Sequence, residues 1–392
     1  MDPITERGRA ALLGALLFAA FLAAGCEPSA AGTPGGASEG SPATSGGTGA
    51  SALGLPEEGE ITIVAMPDIQ WYSLTEETIS ADRDDRLGEF LDHFDEPGQG
   101  PETLRRMHRW ILEHREEQRL VFVSFLGDLV ERGRNESSRG RWETSRASID
   151  LLHGEIPYGL AVGNHDMVTS TGETPLFEEF FGEERYRGFD WYLESHRNNV
   201  NSVQQVVVGA DSLLFLHLTC NAPDDDLAWA DGVLRRHPGH HTFISTHMLL
   251  GPVGRDQGTP GREEDNTPVG LMEWTKCHGE EGNHARESWD RLFSRHPQVV
   301  AVLSGDQSYY QAAHQSMEGE AGNTVHLLMS DYKQISKEGY LRLLRYHPGT
   351  GRIRVITWSP ILDRALDRTP TVPDPLLHNF ELSPASRATA SR

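Results

Sequence analysis

The chain has 392 residues, a formal net charge of −23 from 58 acidic and 35 basic side chains, and 37% hydrophobic residues. That length buries a full core, as one large α/β domain or two small ones, while the acidic excess repels polyanions and leaves no electrostatic footprint for nucleic acid. Lys276, Lys333 and Lys337 are the only lysines, and composition alone assigns no role to that scarcity.

At the N-terminus, Arg7 and Arg9 precede AALLGALLFAAFLAA, short for a bilayer span and right for the h-region of a signal peptide. The run ends in LAAGC at Cys26, which resembles the lipobox of bacterial lipoproteins. The resemblance implies a signal peptide over 1–25, export, and a membrane anchor through lipid on Cys26. The alternative is an ordinary secretory signal cleaved nearby, with Cys26 incidental. Residues 26–57 are rich in Gly, Ser, Ala, Thr and Pro and read as a flexible tether.

From Glu58 the texture changes. ITIVAM (61–66) is a β-branched apolar run of strand length, and 102–118 places Leu104, Met107, Trp110, Ile111 and Leu112 at helical spacing. LVFVSFL (120–126) is a second strand, 141–154 a helix closed by Gly154, and YGLAV (158–162) a third strand. Residues 202–220 read as a hairpin turning at Gly209. DDDLAWADGVLRRHP (224–238) is a helix whose early acids and late arginines complement its dipole. TFISTH (242–247), a helix near 283–297, VVAVLS (299–304) and three closing strands complete the pattern. The spacing predicts an α/β fold, two mixed sheets flanked by helices, in one domain over 58–362 followed by a C-terminal tail, 363–392. The Gly/Pro-rich stretch 251–270 reads as a lid beside a site or a surface excursion. Cys220 and Cys277 would pair in an oxidising compartment or stay as two thiols; spacing does not decide.

The strand ends carry the functional signal. After 61–66 come Asp68 and Gln70; after 120–126, Asp128; after 158–162, Asn164, His165 and Asp166; after 242–246, His247; after 299–304, Gly305-Asp306-Gln307-Ser308. Each has a plain structural explanation: a helix cap, a turn amide or a core histidine. Five such coincidences in order argue instead for a site outside the carboxyl ends of the strands. Oxygen donors with imidazole and no thiolate suit hard to borderline divalent ions. Trp71, Tyr72 and Ser73 would line its mouth or pack over the sheet, and Asp331 and Tyr332 would lie near the rim.

The series PDIQ, GDLVERG, GNHD, His247 and Gly305 resembles the motifs of calcineurin-like metallophosphoesterases, in particular exported bacterial members with Asp-x-Gln in the first motif. The resemblance implies a four-layer α/β-β/α sandwich and hydrolysis of a phosphate ester by a metal-activated water. It implies two divalent ions, with Asp68 and Gln70 on the first, Asp128 bridging, and Asn164 and His247 on the second. His165 would act as general acid or transition-state cation, with Asp166 holding its ring. The last motif of the family is usually Gly-His-x-His, so Asp306 and Ser308 stand where imidazoles are expected. An oxygen-rich set favours Mn, Mg, Ca or Fe over Zn and predicts a weak or empty first site, with His314 as a substitute ligand or a surface histidine. Two readings follow: a working phosphoesterase on a phosphomonoester or phosphodiester, or a catalytically impaired metal-binding surface lipoprotein on the same fold.

Overall fold

The computed structural model describes residues 53–82, 90–96, 98–253 and 268–384. The expected signal peptide, Cys26, residues 26–52 of the tether and 254–267 of the expected lid lie outside the described residues. Among the described residues no helix is long and apolar enough to cross a membrane.

The apolar runs form the strands they predict. The first sheet holds β1 (Ile61–Met66), β2 (Leu120–Phe125) and β3 (Tyr158–Leu160). The second begins with β4 (Tyr192–His196), β5 (Asn201–Val208), β6 (Asp211–His217) and β7 (His241–Ser245). A two-stranded ladder, β8 (Leu250–Pro252) with β9 (Val269–Leu271), brackets the expected lid. The second sheet is completed by β10 (Val299–Ser304), β11 (Ala312–Glu318) and β12 (Thr324–Ser330). The chain then returns to the first sheet with β13 (Leu341–His347), β14 (Arg352–Ser359), β15 (Arg364–Ala365) and β16 (Phe380–Leu382). The α-helices are α1 (Glu76–Asp82), α2 (Gln99–Glu113), α3 (Arg139–Ile149), α4 (Pro175–Phe181), α5 (Asp224–Arg236) and α6 (Ala285–Arg291).

Both sheets are mixed. The first runs β15-β14-β13-β1-β2-β3, with β16 also paired to β14; the second runs β11-β12-β10-β7-β6-β5-β4. β1, β2 and β3 are mutually parallel, as are β6, β7, β10 and β12, while β13 runs antiparallel to β1.

Side-chain alternation assigns the layers. Ile61, Ile63 and Ala65 of β1 face Leu213, Phe215, Phe243 and Leu303 of the second sheet, and Phe122 stacks on Phe215 with ring centroids 3.7 Å apart. Val64 and Met66 point the other way, into the cluster that holds Leu104, Met107 and Ile111 of α2. On the far side, Leu214, Ile244 and Val302 share that kind of packing with Leu227, Val233 and Leu234 of α5 and Trp289 of α6. Strands buried on both faces read as unbroken apolar runs, which is why β1 and β10 were visible as such. The result is the expected four-layer α/β-β/α sandwich.

Two boundaries differ from the sequence reading. Residues 363–384, expected as the start of a tail, belong to the fold: β15 and β16 both pair with β14. The end of the expected tether is also docked, because Arg345 donates to the carbonyls of Gly54 and Leu55. Their polar and small residues look like linker, but backbone pairing and a buried arginine order them.

Candidate metal centre

Parallel strands bring their carboxyl ends to one rim. Leu126 N–H donates to Met66 O (3.0 Å), Ile69 N–H to Asp128 O (3.2 Å) and Gly305 N–H to His247 O (3.0 Å). Two bonds cross between the sheets at this rim: Asp306 N–H to Asp68 Oδ1 (3.2 Å) and His247 Nδ1–H to Leu126 O (2.8 Å).

The glycines of three motifs make room for this convergence. A Cβ on Gly305 would lie 2.0 Å from Asp68 Oδ1, one on Gly163 2.1 Å from Asp128 Oδ1, and one on Gly127 2.6 Å from His247 Nδ1. Asp128 (φ 52°) and Asp306 (φ 71°) both hold left-handed backbone, a conformation costly for non-glycine residues and concentrated at functional sites.

Asp68, Asp128 and His247, all buried, each bring one ligand atom to within 4.8 Å of the others. The carbonyl of Leu126 fixes the Nδ1–H tautomer of His247, so Nε2 turns inward, 3.1 Å from Asp128 Oδ1 and 3.7 Å from Asp306 Oδ1. A ring N–H tied to a carbonyl, with the other nitrogen free, is the usual posture of a metal-ligating histidine. Asn164 Oδ1 and Gln70 Oε1 are both buried without a hydrogen-bond partner. His165 N–H donates to Asp128 Oδ1 (2.9 Å), and Gln70 Nε2 to Asp128 Oδ2 (2.9 Å).

Electrostatics follow from this crowding. Burial, then Asp331, push Asp68 well above the ordinary carboxylate range, against the pull of Lys333 and His247. Burial also works against ionising Asp128, but His247 and His165 overcome it and hold that carboxyl well below its usual range. Burial disfavours a charged His247, yet Asp128 and Asp68 raise it well above the histidine norm.

Two of the three lysines enter this cluster. Lys333 Nζ lies 3.2 Å from Asp68 Oδ2 and 3.0 Å from Asp331 Oδ2. Lys276 Nζ lies 2.5 Å from Asp306 Oδ1. Burial opposes both ammonium charges, but Asp331 and Asp68 raise Lys333 well above its norm, and Asp306 raises Lys276. Neither lysine was singled out by motif. Asp331, expected near the rim, reaches it through Lys333, whereas Tyr332 turns away to His378 and Thr357.

The partner of His165 differs from expectation. Asp166 does not hold the ring: its carboxylate accepts from the backbone N–H groups of Leu129 (2.8 Å), Val130 (3.1 Å) and Gly163 (2.9 Å), lashing the GNHD turn to the GDLV turn. Glu131 holds the ring instead, with Oε1 2.9 Å from His165 Nδ1 and Oε2 accepting from Trp71 Nε1–H at 3.2 Å. Burial lowers the affinity of His165 for its proton, but Glu131 and Asp128 outweigh it and raise the pKa to about 9. Glu131 sits three residues after Asp128 in GDLVERG, and only that proximity could have flagged it. Trp71 is thereby a brace rather than a pocket lining; Tyr72 donates to Ser336 O and Ser73 to Gln70 O.

Among the described residues no hydrogen bond joins Ser308 to the cluster; the polar contacts of its segment are made by Asp306 and Gln307. His314 is not brought in as a substitute ligand, because it lies on β11 and stacks on Phe380 with centroids 4.1 Å apart. Cys220 and Cys277 are both buried, free thiols. A cavity of about 420 Å³ adjoins the segment, lined by Tyr309, Tyr310, Ala313, His314, Val269 and Val372 among others.

These donors fit a divalent cation: hard carboxylate and amide oxygens with one oriented imidazole, and two buried amide oxygens left without partners.

The family model described as calcineurin-like phosphoesterase matches residues 61–310. The uncharacterized protein YvnB of Bacillus subtilis (strain 168) is 24% identical over 269 residues, covering 66% of this chain and 18% of that protein. The chain thus spans less than a fifth of the length of that relative. Among solved structures, a dimetal phosphatase from Danio rerio is 11% identical with a TM-score of 0.45, over 78% of this chain and 98% of that one. Purple acid phosphatase PPD1 from yellow lupin (Lupinus luteus) seeds is 10% identical with a TM-score of 0.46, over 85% and 55% respectively. With more than half of its length inside the matched model, the chain belongs to the calcineurin-like phosphoesterase family.

Proposed function

We propose that the protein is a metal-dependent phosphoesterase that hydrolyses a phosphomonoester or phosphodiester. The carrying observation is the buried group of Asp68, Asp128 and His247, its imidazole nitrogen turned inward toward Asp128. A divalent ion bound there would acidify a water and neutralise phosphoryl oxygens. Asp128 is the bridge of the cluster, touched by Gln70, His165 and His247. The His165 side chain is 31% exposed and keeps its proton at neutral pH through Glu131. It is therefore suited to donate from Nε2 to the leaving oxygen, a contribution of roughly 10²–10⁴-fold in rate.

The reading includes export and a lipid anchor at Cys26, supported by the N-terminal sequence. A second reading, a metal-binding surface protein without turnover, is favoured by Asp306 and Ser308 standing in place of two imidazoles. A proton donor braced by a buried carboxylate argues against it, since binding alone uses no such group. The deciding experiment is an assay of p-nitrophenyl phosphate and bis-p-nitrophenyl phosphate with Mn, Mg, Ca, Zn or no added metal. Metal-dependent turnover that falls to background in Asp128→Asn is expected. Bound metal with no turnover of either ester would leave the second reading standing.

A further inference from the structure

We propose that the Lys333 ammonium group occupies the cation position that Asp68 would otherwise offer to a first metal ion, so that the protein binds one divalent ion per chain. The inference rests on the phosphoesterase reading and sharpens it.

Both oxygens of Asp68 are already engaged. Oδ1 accepts the backbone N–H of Asp306 at 3.2 Å, and Oδ2 faces Lys333 Nζ at 3.2 Å. Asn164 Oδ1, of the expected second site, and Gln70 Oε1, of the expected first, have no partner, so on the first side it is Asp68 that the ammonium group occupies. Lys333 is held as a built group rather than a loose surface cation. Its side chain is 11% exposed, its backbone N–H donates to Asp331 Oδ1 (3.1 Å), and its carbonyl accepts from Ser336 Oγ (2.6 Å).

Lys333 is matched by two carboxylates, since its Nζ also lies 3.0 Å from Asp331 Oδ2, and Lys276 takes Asp306 in the same way.

The test is manganese binding to the metal-stripped full chain, read by equilibrium dialysis and by electron paramagnetic resonance. Wild type should bind one equivalent with the six-line spectrum of an isolated Mn(II). Lys333→Gln should bind two, with the exchange-broadened multiline spectrum of a coupled pair, and Lys333→Arg, which keeps the charge, should return to one. Should Lys333→Gln be unstable without metal, manganese should raise its melting temperature more than that of wild type. Two coupled ions in wild type would overturn the inference while leaving the phosphoesterase reading intact. One equivalent in both wild type and Lys333→Gln would also overturn it, assigning the missing site to the absent histidines. No manganese bound by wild type would overturn the parent reading and this inference together.

Discussion

The Nδ1 atom of His165 rests 2.9 Å from Oε1 of Glu131, whose other oxygen takes the indole N–H of Trp71. This braced pair replaces the Asp166–His165 contact expected from the GNHD motif. Because Glu131, with Asp128, raises the His165 pKa to about 9, its charge should set where turnover is lost on the alkaline side. Glu131→Gln keeps an acceptor for Nδ1–H and removes the charge, so the histidine loses its proton at lower pH. The alkaline limb of the rate profile should move down by about one to two units, with turnover at pH 8 lower by about twofold for one unit and roughly tenfold for two. A pH–rate profile with an unmoved limb would show that His165 is not the proton donor.

Gly305 is a position where a methyl group would strike the cluster directly. Gly305→Ala would put Cβ 2.0 Å from Asp68 Oδ1, and the resulting shift should cost about 1–3 kcal/mol and weaken metal binding. Gly239→Ala, whose Cβ meets nothing within 4 Å, is the matched control and should change stability by less than about 1 kcal/mol. Thermal unfolding with and without manganese separates the two; equal behaviour of the pair would contradict the close approach.

Acid should destabilise the fold before the carboxylates titrate. Burial lowers His108 from 6.5 to about 4 and His217 to about 3. As pH falls below 6.5 the unfolded chain takes up these protons and the folded chain does not, so stability is complete above 6.5 and lost on the way down to those values. Each such histidine contributes a slope of up to about 1.4 kcal/mol per pH unit in that window. His108→Asn, which keeps a donor for the Ser148 carbonyl, should remove one share of the slope between pH 6.5 and 4 in urea unfolding curves. A parallel curve would mean that His108 is protonated in the native state.

Lipidation is checked directly. Expression of the full chain in a bacterial host with labelled palmitate should give a labelled, detergent-partitioning protein, and Cys26→Ser should abolish both. Label retained in the variant would remove Cys26 as the anchor.

The strands that build the rim were legible because each is buried on both faces and ends at a glycine or a polar break: β1, β2, β7 and β10 fall within a residue or so of the runs that predict them. The helix α4, PLFEEFF, is hard to read for its length: Phe177, Phe180 and Phe181 stand at helical spacing and are buried, but seven residues are too few to establish a period. β16 was invisible for a different reason: a three-residue strand draws its order from β14 rather than from its own sequence. At the site, the motif residues Asp68, Asp128 and His247 converge as their order suggests. Glu131, Lys276 and Lys333 carry no such signal, because single charged residues outside long periodic elements show no pattern. Only the topology shows that Lys333 and Asp68, 265 positions apart, meet.

Arg345 grips the backbone of Gly54 and Leu55 beside the beginning of β1, where it is in register with Thr62. The strand then runs six residues, about 20 Å, before Asp68 appears. The entering chain and the ligand cluster therefore sit at opposite poles of the domain.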